Sequence, residues 1–519
     1  MERLVVYPID PENPEQFLSF LESRLVKKPM RTGAPRHQPL LHTVWHAIRL
    51  GACCVIHQSK VSDPDFVAEH TAYYSRWSTK VPRHCDRLHF FNVTPTSDDA
   101  LEVIDQMAAT DGAYLGFITL RPVSMSPVAA SILRPSNGNT IHFLLSRDEF
   151  EVNLAGQTFS VAGTPFMQQD NAVGACAQAS IWMALRTLRR KEGQAAFSPA
   201  QITLAATRFL VSGRTLPNRQ GLRIEQITEA VRAAGYAPHL IPLKSNVNEE
   251  ATEASLDNAK RTLYPYVESG IPVLLILVPP KGEGHAVVLI GHGWNPNPFR
   301  LIPLGCLLNK IELYDASGWI EPFFIHNDNS GPYLPLPELQ ADGYCLGHAV
   351  SAIPFLHPDV FIDGSEARRT SLLLLEQTLT RNSNGTDLQI GIAKLVVRTY
   401  LQDKATFRKA VMLSNMPEEV KSYYRKKWLP KRVWVTELNL IDHYGECPEG
   451  KAVRVGEVLL DPSSEPEDGH FLTIHLDSIL FGQESAEYGV IVDRDAFDEA
   501  IKAFPVPANS YSPLVRQVG

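Results

Sequence analysis

The chain has 519 residues, 44% hydrophobic and 20% charged, which fits a folded protein of two to four domains and excludes a disordered one. Its formal net charge of −8 argues against nucleic acid as a partner of the whole protein. Seven cysteines without a C-x-x-C pair point to free thiols in a reducing, cytoplasmic setting.

The opening residues, MERLVVYPIDPENPEQF, lack a basic start followed by an apolar run, so no signal peptide is expected. The most apolar run, Ile271 to Leu277, is too short to span a bilayer, and no membrane association is expected. Residues 1–160 mix strands (CCVIHQSKV, AYLGFITLRPV) with helices (NPEQFLSFLESRL, SDDALEVIDQMAA) started by Asn13 and Ser97. A mixed α/β domain of unassigned role follows from this. It is rich in His42, His46, Cys53, Cys54, His57, His84, Cys85 and His89, but no spacing matches a metal motif, so no metal and no cofactor is expected. NTIHFLL and EVNLAGQTFSVAG then read as a strand pair.

The segment 161–355 carries the residues of chemical interest. QQDNAVGACAQASIWMALRTL passes from a polar, Gly-containing approach to a pattern of helical period. Ala177, Ile181, Ala184, Leu185 and Leu188 share a stripe, and Arg186, Arg189 and Arg190 lie toward the far end. Cys176 thus falls in the first turn, where free N–H groups and the helix dipole favour a thiolate. Further helices are expected at Ser198-Pro199 and in GLRIEQITEAVRAAGY, the latter stopped by Gly235. GIPVLLILV and GHAVVLIGHGW read as buried strands, and His285 stands at the mouth of the second. A Cys at a helix start and a His at a later strand start suit a thiolate–imidazolium pair. The group orienting His285 would come from a strand end: Asp328 is preferred, with Asn327 and Asp315 as alternatives. Asx residues at strand ends are also ordinary turn formers. Gln169 could supply an oxyanion donor beside the Cys176 N–H, with Gln168 the neighbouring alternative.

QQDNAVGACAQASIWMAL, then Gly221-Leu222, Gly270-Ile271-Pro272-Val273 and GHAVVLIG, together resemble the papain-like cysteine peptidase superfamily. Within it the resemblance is to the bacteriocin-leader-processing type of catalytic domain. It covers about 190 residues of 519 and departs from that family at Ala177, where Gly is usual, and in the long interval from His285 to Asp328, which leaves room for an inserted hairpin through WNPNPFRLIPLGCLL. The resemblance implies an α+β fold, a Cys helix packed on an antiparallel sheet. It also implies Cys176 as nucleophile, His285 as base, Gln169 as oxyanion donor and Asp328 as orienting acid, acting on a polypeptide without a cofactor.

Residues 356–519 suggest a C-terminal helix-plus-sheet region that could extend the preceding sheet. Its helices are SEARRTSLLLLEQTLTR, TFRKAVMLS and MPEEVKSYYRKKWLPKR; its strands are KRVWVTELNLI, VGEVLLDP, GHFLTIHLD and YGVIVD. In KSYYRKKWLPKR, Lys421, Arg425, Lys426, Lys427, Lys431 and Arg432 interleave with Tyr423, Tyr424 and Trp428. That composition suits phosphate contact and base stacking, but equally a solvated helix face with buried aromatics, the reading preferred here. The chain is therefore expected to be a cytoplasmic cysteine hydrolase cleaving an amide bond in a polypeptide. A transamidase using the same site, or a papain-fold binding protein without chemistry, are the alternatives.

Overall fold

The computed structural model describes residues 3–10, 13, 15–21, 38–123, 126–136, 142–143, 146–170, 176–213, 221–247, 249–280, 284–308, 310–340, 343–382, 394–442, 444–449, 452–464, 471–476, 479–483 and 501–505. The fold is mixed α+β, built on several antiparallel sheets. An N-terminal sheet runs in chain order through Leu4–Pro8, Cys54–Val61, Cys85–Phe91, Tyr114–Leu120 and Ile132–Leu133. Helix Pro64–Ala72 starts on Asp63, whose Oδ1 accepts from Phe66 N at 3.0 Å. Helix Ala100–Ala108 is capped by Asp99 rather than by the expected Ser97. The Asp99 carboxylate reaches the N–H groups of Leu101 and Glu102, whereas Ser97 Oγ accepts from Asp99 N and donates to Glu102.

The expected pairing of NTIHFLL with EVNLAGQTFSVAG is also corrected. Asp148–Leu154 and Gln157–Gly163 form a hairpin of their own, turning at Ala155 and Gly156, both in the left-handed region. His142–Phe143 instead pairs with Gly293 and His292 of the central sheet.

That central sheet is antiparallel in the order Ile241–Pro242, Ala349–Leu356, Val273–Leu277, His285–Gly293, Phe323–Asn327, Gly331–Leu336. Every residue of His285–Gly293 is buried, so both faces of this strand require a cover. On one face Ala286, Val288 and Ile290 pack with Ile181, Trp182 and Leu185 of helix Cys176–Lys191. On the other, Val287 and Leu289 join Leu263 and Val267 of helix Glu253–Glu268. This second helix is not among those expected from the sequence. Its start, Thr252 with Ser255 in a reciprocal capping box, and its buried Leu256, Ala259, Lys260, Leu263 and Val267 are nonetheless at helical spacing.

The interval between His285 and Asp328 does hold a hairpin, Ile302–Leu307 with Ile311–Asp315, but the hairpin leaves the central sheet. Ile311–Asp315 runs parallel to Lys394–Asp403, a strand not expected from the sequence, so the hairpin joins the C-terminal sheet with Ile302–Leu307 at its edge. That sheet continues antiparallel through Arg432–Leu440, Arg454–Leu460, Phe471–Leu476, Ile479–Gln483 and Ile501–Pro505. The C-terminal strands thus build a separate sheet with that hairpin rather than extending the central one. YGVIVD lies outside the described residues.

One register row of the C-terminal sheet carries Arg398, Glu437, Glu457 and His475 side by side across four strands, all buried. Arg398 pairs with Glu437 at 2.9 Å and with Glu268, which meets His292 Nε2 at 2.9 Å. The row therefore joins the C-terminal sheet to the central strand. Such charges are tolerated in a core because each faces a partner. Burial raises the Glu268 carboxyl, yet Arg398 and His292 outweigh it and hold the group at about 2. No helix among the described residues is long and apolar enough to cross a membrane.

Because the folded pKa of Glu268 lies below the usual carboxylate value, its stabilisation is complete above about pH 5 and is lost as pH falls toward 2. Glu268→Gln is expected to cost about 3 kcal/mol in urea unfolding at pH 7, and the difference from wild type should shrink on acidification.

Candidate functional site

Helix Cys176–Lys191 is placed by its first two turns. Ser180, one turn beyond Cys176 on the same face, donates its hydroxyl to Ala286 O at 2.9 Å, while the Ala286 N–H bears on the Cys176 thiol. Both contacts are to the residue that follows His285, so the helix start and the strand mouth meet. The expectation of a stabilised thiolate is not met. Burial, followed by the nearby Asp328 carboxylate, pushes the thiol up to about 11, despite the N–H groups of Ala286, Ala177 and Cys176 itself. At a half-buried position desolvation outweighs the end of the helix dipole.

His285 is held on three sides. Its Nε2 lies 2.9 Å from Asn327 Oδ1, and Asn329 Nδ2 stands 3.5 Å from Nδ1. Its ring stacks on Tyr344 with centroids 4.9 Å apart. Since an amide oxygen only accepts, the Asn327 bond selects the tautomer protonated on Nε2 and leaves Nδ1 as the acceptor. Burial lowers the His285 pKa, and the Asn327 bond offsets part of that.

The three strand-end candidates separate clearly. Asn327 makes the hydrogen bond to His285. Asp328, preferred from sequence, is completely buried with Oδ1 3.4 Å from His285 Nε2, and its oxygens make no hydrogen bond of normal geometry to another described residue. Burial raises its carboxyl well above the usual range. Asp315 is engaged elsewhere: Oδ1 accepts from Ser317 N at 2.9 Å and Oδ2 pairs with Arg368 at 3.0 Å. The long apolar lead-in of this segment points to Asp328, whereas Asn327, the strand's final residue, makes the hydrogen bond to the imidazole.

Gln168 is buried and tied to Val128 through both its backbone N–H and its side-chain oxygen, at 3.1 and 3.2 Å. Gln169, next along, is partly exposed, and the approach 171–175 lies outside the described residues. Ser180, Asn329 and Tyr344 were not singled out from sequence. The spacing of Ser180 from Cys176 offered a signal for it; nothing local marked Tyr344.

The N-terminal histidines are dispersed among different partners. His46 Nε2 meets Arg134 O at 2.7 Å, and His89 lies between Tyr114 and Gln58 at 3.0 Å each. No group of three His, Cys, Asp or Glu suited to a metal occurs among the described residues. In the basic stretch Tyr424 is buried on Glu457 at 2.6 Å and Arg432 pairs with Asp359 at 2.8 Å, leaving Trp428 the exposed aromatic at 63%. No family model matches this chain, and no curated protein matches its sequence.

Removing the Asn327 amide removes the contact that raises the His285 pKa. Asn327→Ala is therefore expected to lower the imidazole's titration midpoint further below its ordinary value, as followed by NMR; an upward movement would contradict the hydrogen bond described.

Proposed function

We propose that the protein is a cysteine hydrolase of papain-like type that cleaves an amide bond in a polypeptide within a reducing, cytoplasmic compartment. The observation that carries this reading is the His285–Asn327 hydrogen bond at 2.9 Å, at the end of the strand on which the Cys176 helix docks. Cys176 is the nucleophile, His285 the base and Asn327 the group that orients it. Gln169 and the Cys176 N–H are the donors to the oxyanion.

Because the thiol is raised and the imidazole lowered, the resting pair is neutral. Attack then needs general-base catalysis: His285 Nδ1 takes the thiol proton as Sγ bonds to the carbonyl carbon, and returns it to the leaving amine. Asn327 holds Nε2–H throughout. The Asp328 carboxyl, 3.4 Å from that nitrogen, is pushed toward its neutral form by burial, so Asn327 carries the orienting role. Water resolves the acyl-enzyme; an amine in its place would give transamidation on the same residues. The raised thiol also favours a second reading, a papain-fold binding protein in which Cys176 remains inert.

Two labels separate these readings. Iodoacetamide labelling of resting Cys176 should rise with pH toward a midpoint of about 11. A peptidyl vinyl sulfone, which mimics substrate, should label wild type at neutral pH, fail with Cys176→Ala, and slow roughly 100-fold with His285→Ala. Equal slow labelling of wild type and His285→Ala would support the inert binder.

A further inference from the structure

Gln169 lies between two residues that the N-terminal region fixes in place. On one side, Arg121 donates Nη2 to Gln168 O at 2.7 Å. Gln168 is also bound to Val128 through its N–H and its side-chain oxygen. On the other side, the Tyr74 hydroxyl donates to Asp170 Oδ2. Tyr74, Arg121, Gln168 and Asp170 are all at most 4% exposed, whereas Gln169 is partly exposed. Helix Pro64–Ala72 ties the arrangement together: Glu69 pairs with Arg121 at 3.4 Å, and Asp65 pairs with Arg186 of the Cys176 helix at 3.6 Å. One N-terminal helix thus reaches the segment carrying the candidate oxyanion donor through Arg121, and pairs directly with the helix carrying the candidate nucleophile.

We propose that Tyr74 and Arg121 are positioning residues that hold Gln169 as the oxyanion donor, so that the N-terminal region completes the site. This rests on the hydrolase reading of Cys176 and Gln169. Neither residue acts on substrate; each acts by fixing the backbone on one side of Gln169. A buried hydrogen-bonded side chain does this better than a surface contact, because releasing it leaves a desolvated polar group without compensation.

The test uses the full chain and the peptide aldehyde acetyl-leucyl-leucyl-norleucinal. Cys176 Sγ bonds to the aldehyde carbon, the carbonyl π pair moves to oxygen, and the thiol proton passes through His285 to that oxygen, giving a hemithioacetal without redox change. The charge that develops on oxygen is what Gln169 would stabilise. Iodoacetamide labels the same sulfur by displacing iodide and develops no such charge. Gln169→Ala is expected to weaken aldehyde binding about 100-fold and Tyr74→Phe about 10-fold. The double variant should be no weaker than Gln169→Ala alone, since Tyr74 acts through Gln169. Iodoacetamide rates should stay within about twofold of wild type throughout. Asp170→Asn, which weakens the same contact from the other side, is measured in parallel and stands in if Tyr74→Phe does not fold. The proposal is overturned if Tyr74→Phe and Gln169→Ala lose affinity additively, if only Gln169→Ala loses it, or if iodoacetamide labelling falls in step with aldehyde binding. A wild type that reacts with iodoacetamide but forms no aldehyde adduct would instead remove the hydrolase reading, and this proposal with it.

Discussion

The burial of strand His285–Gly293 on both faces is the constraint from which the rest of the architecture follows. A strand without a solvent face needs a cover on each side. Helix Cys176–Lys191 supplies one cover and helix Glu253–Glu268 the other. The alternation of the strand then distributes its neighbours between two cores, with Ala286, Val288 and Ile290 facing one and Val287 and Leu289 the other. The polar contact of Ser180 with Ala286 O fixes the helix along the strand at one point, since sliding by a turn would leave a buried hydroxyl and carbonyl unmatched. The position of Cys176 relative to His285 is thereby a product of packing rather than of a flexible loop.

The same strand carries two histidines with opposite surroundings. His292 meets Glu268, which Arg398 links to the buried ionic row. His285 faces an amide, an aromatic ring and a carboxyl group pushed toward its neutral form, so burial keeps it uncharged. Local partners, not depth, separate the two: both rings are almost wholly buried. A polar group held neutral in a dry setting is responsive to a charge brought by a ligand.

Much of this was legible in the sequence, and the failures have physical causes. The continuous apolar runs at Val273–Leu277 and His285–Gly293 emerged because Gly and Pro residues bound them, and the stripe after Cys176 because one helical periodicity dominated it. Helix Glu253–Glu268 escaped because Lys260, Tyr264 and Tyr266 blur its apolar stripe and Pro265 lies within it. Strand Lys394–Asp403 escaped because Arg398, Thr399 and Gln402, all buried, read as surface residues until their cross-strand partners are known. The choice between Asn327 and Asp328 turned on which of two neighbouring side chains makes the hydrogen bond to a ring 42 residues away, Asn327 at 2.9 Å against Asp328 at 3.4 Å. Nothing in the chain order carries that information.

The hairpin Ile302–Leu307/Ile311–Asp315 bears on how the chain acquires its structure during synthesis. Its second strand, Ile311–Asp315, finds its parallel neighbour in Lys394–Asp403, made later in the chain. Until that strand emerges from the ribosome, the hairpin presents an open edge of unpaired N–H and C=O groups. The segments bearing His285 and Asn327 flank this hairpin in sequence, so both are tethered to an element that completes its pairing late. Assembly of the central sheet is thus coupled to the arrival of C-terminal residues, a non-local closure that slows folding and prolongs exposure of an aggregation-prone edge.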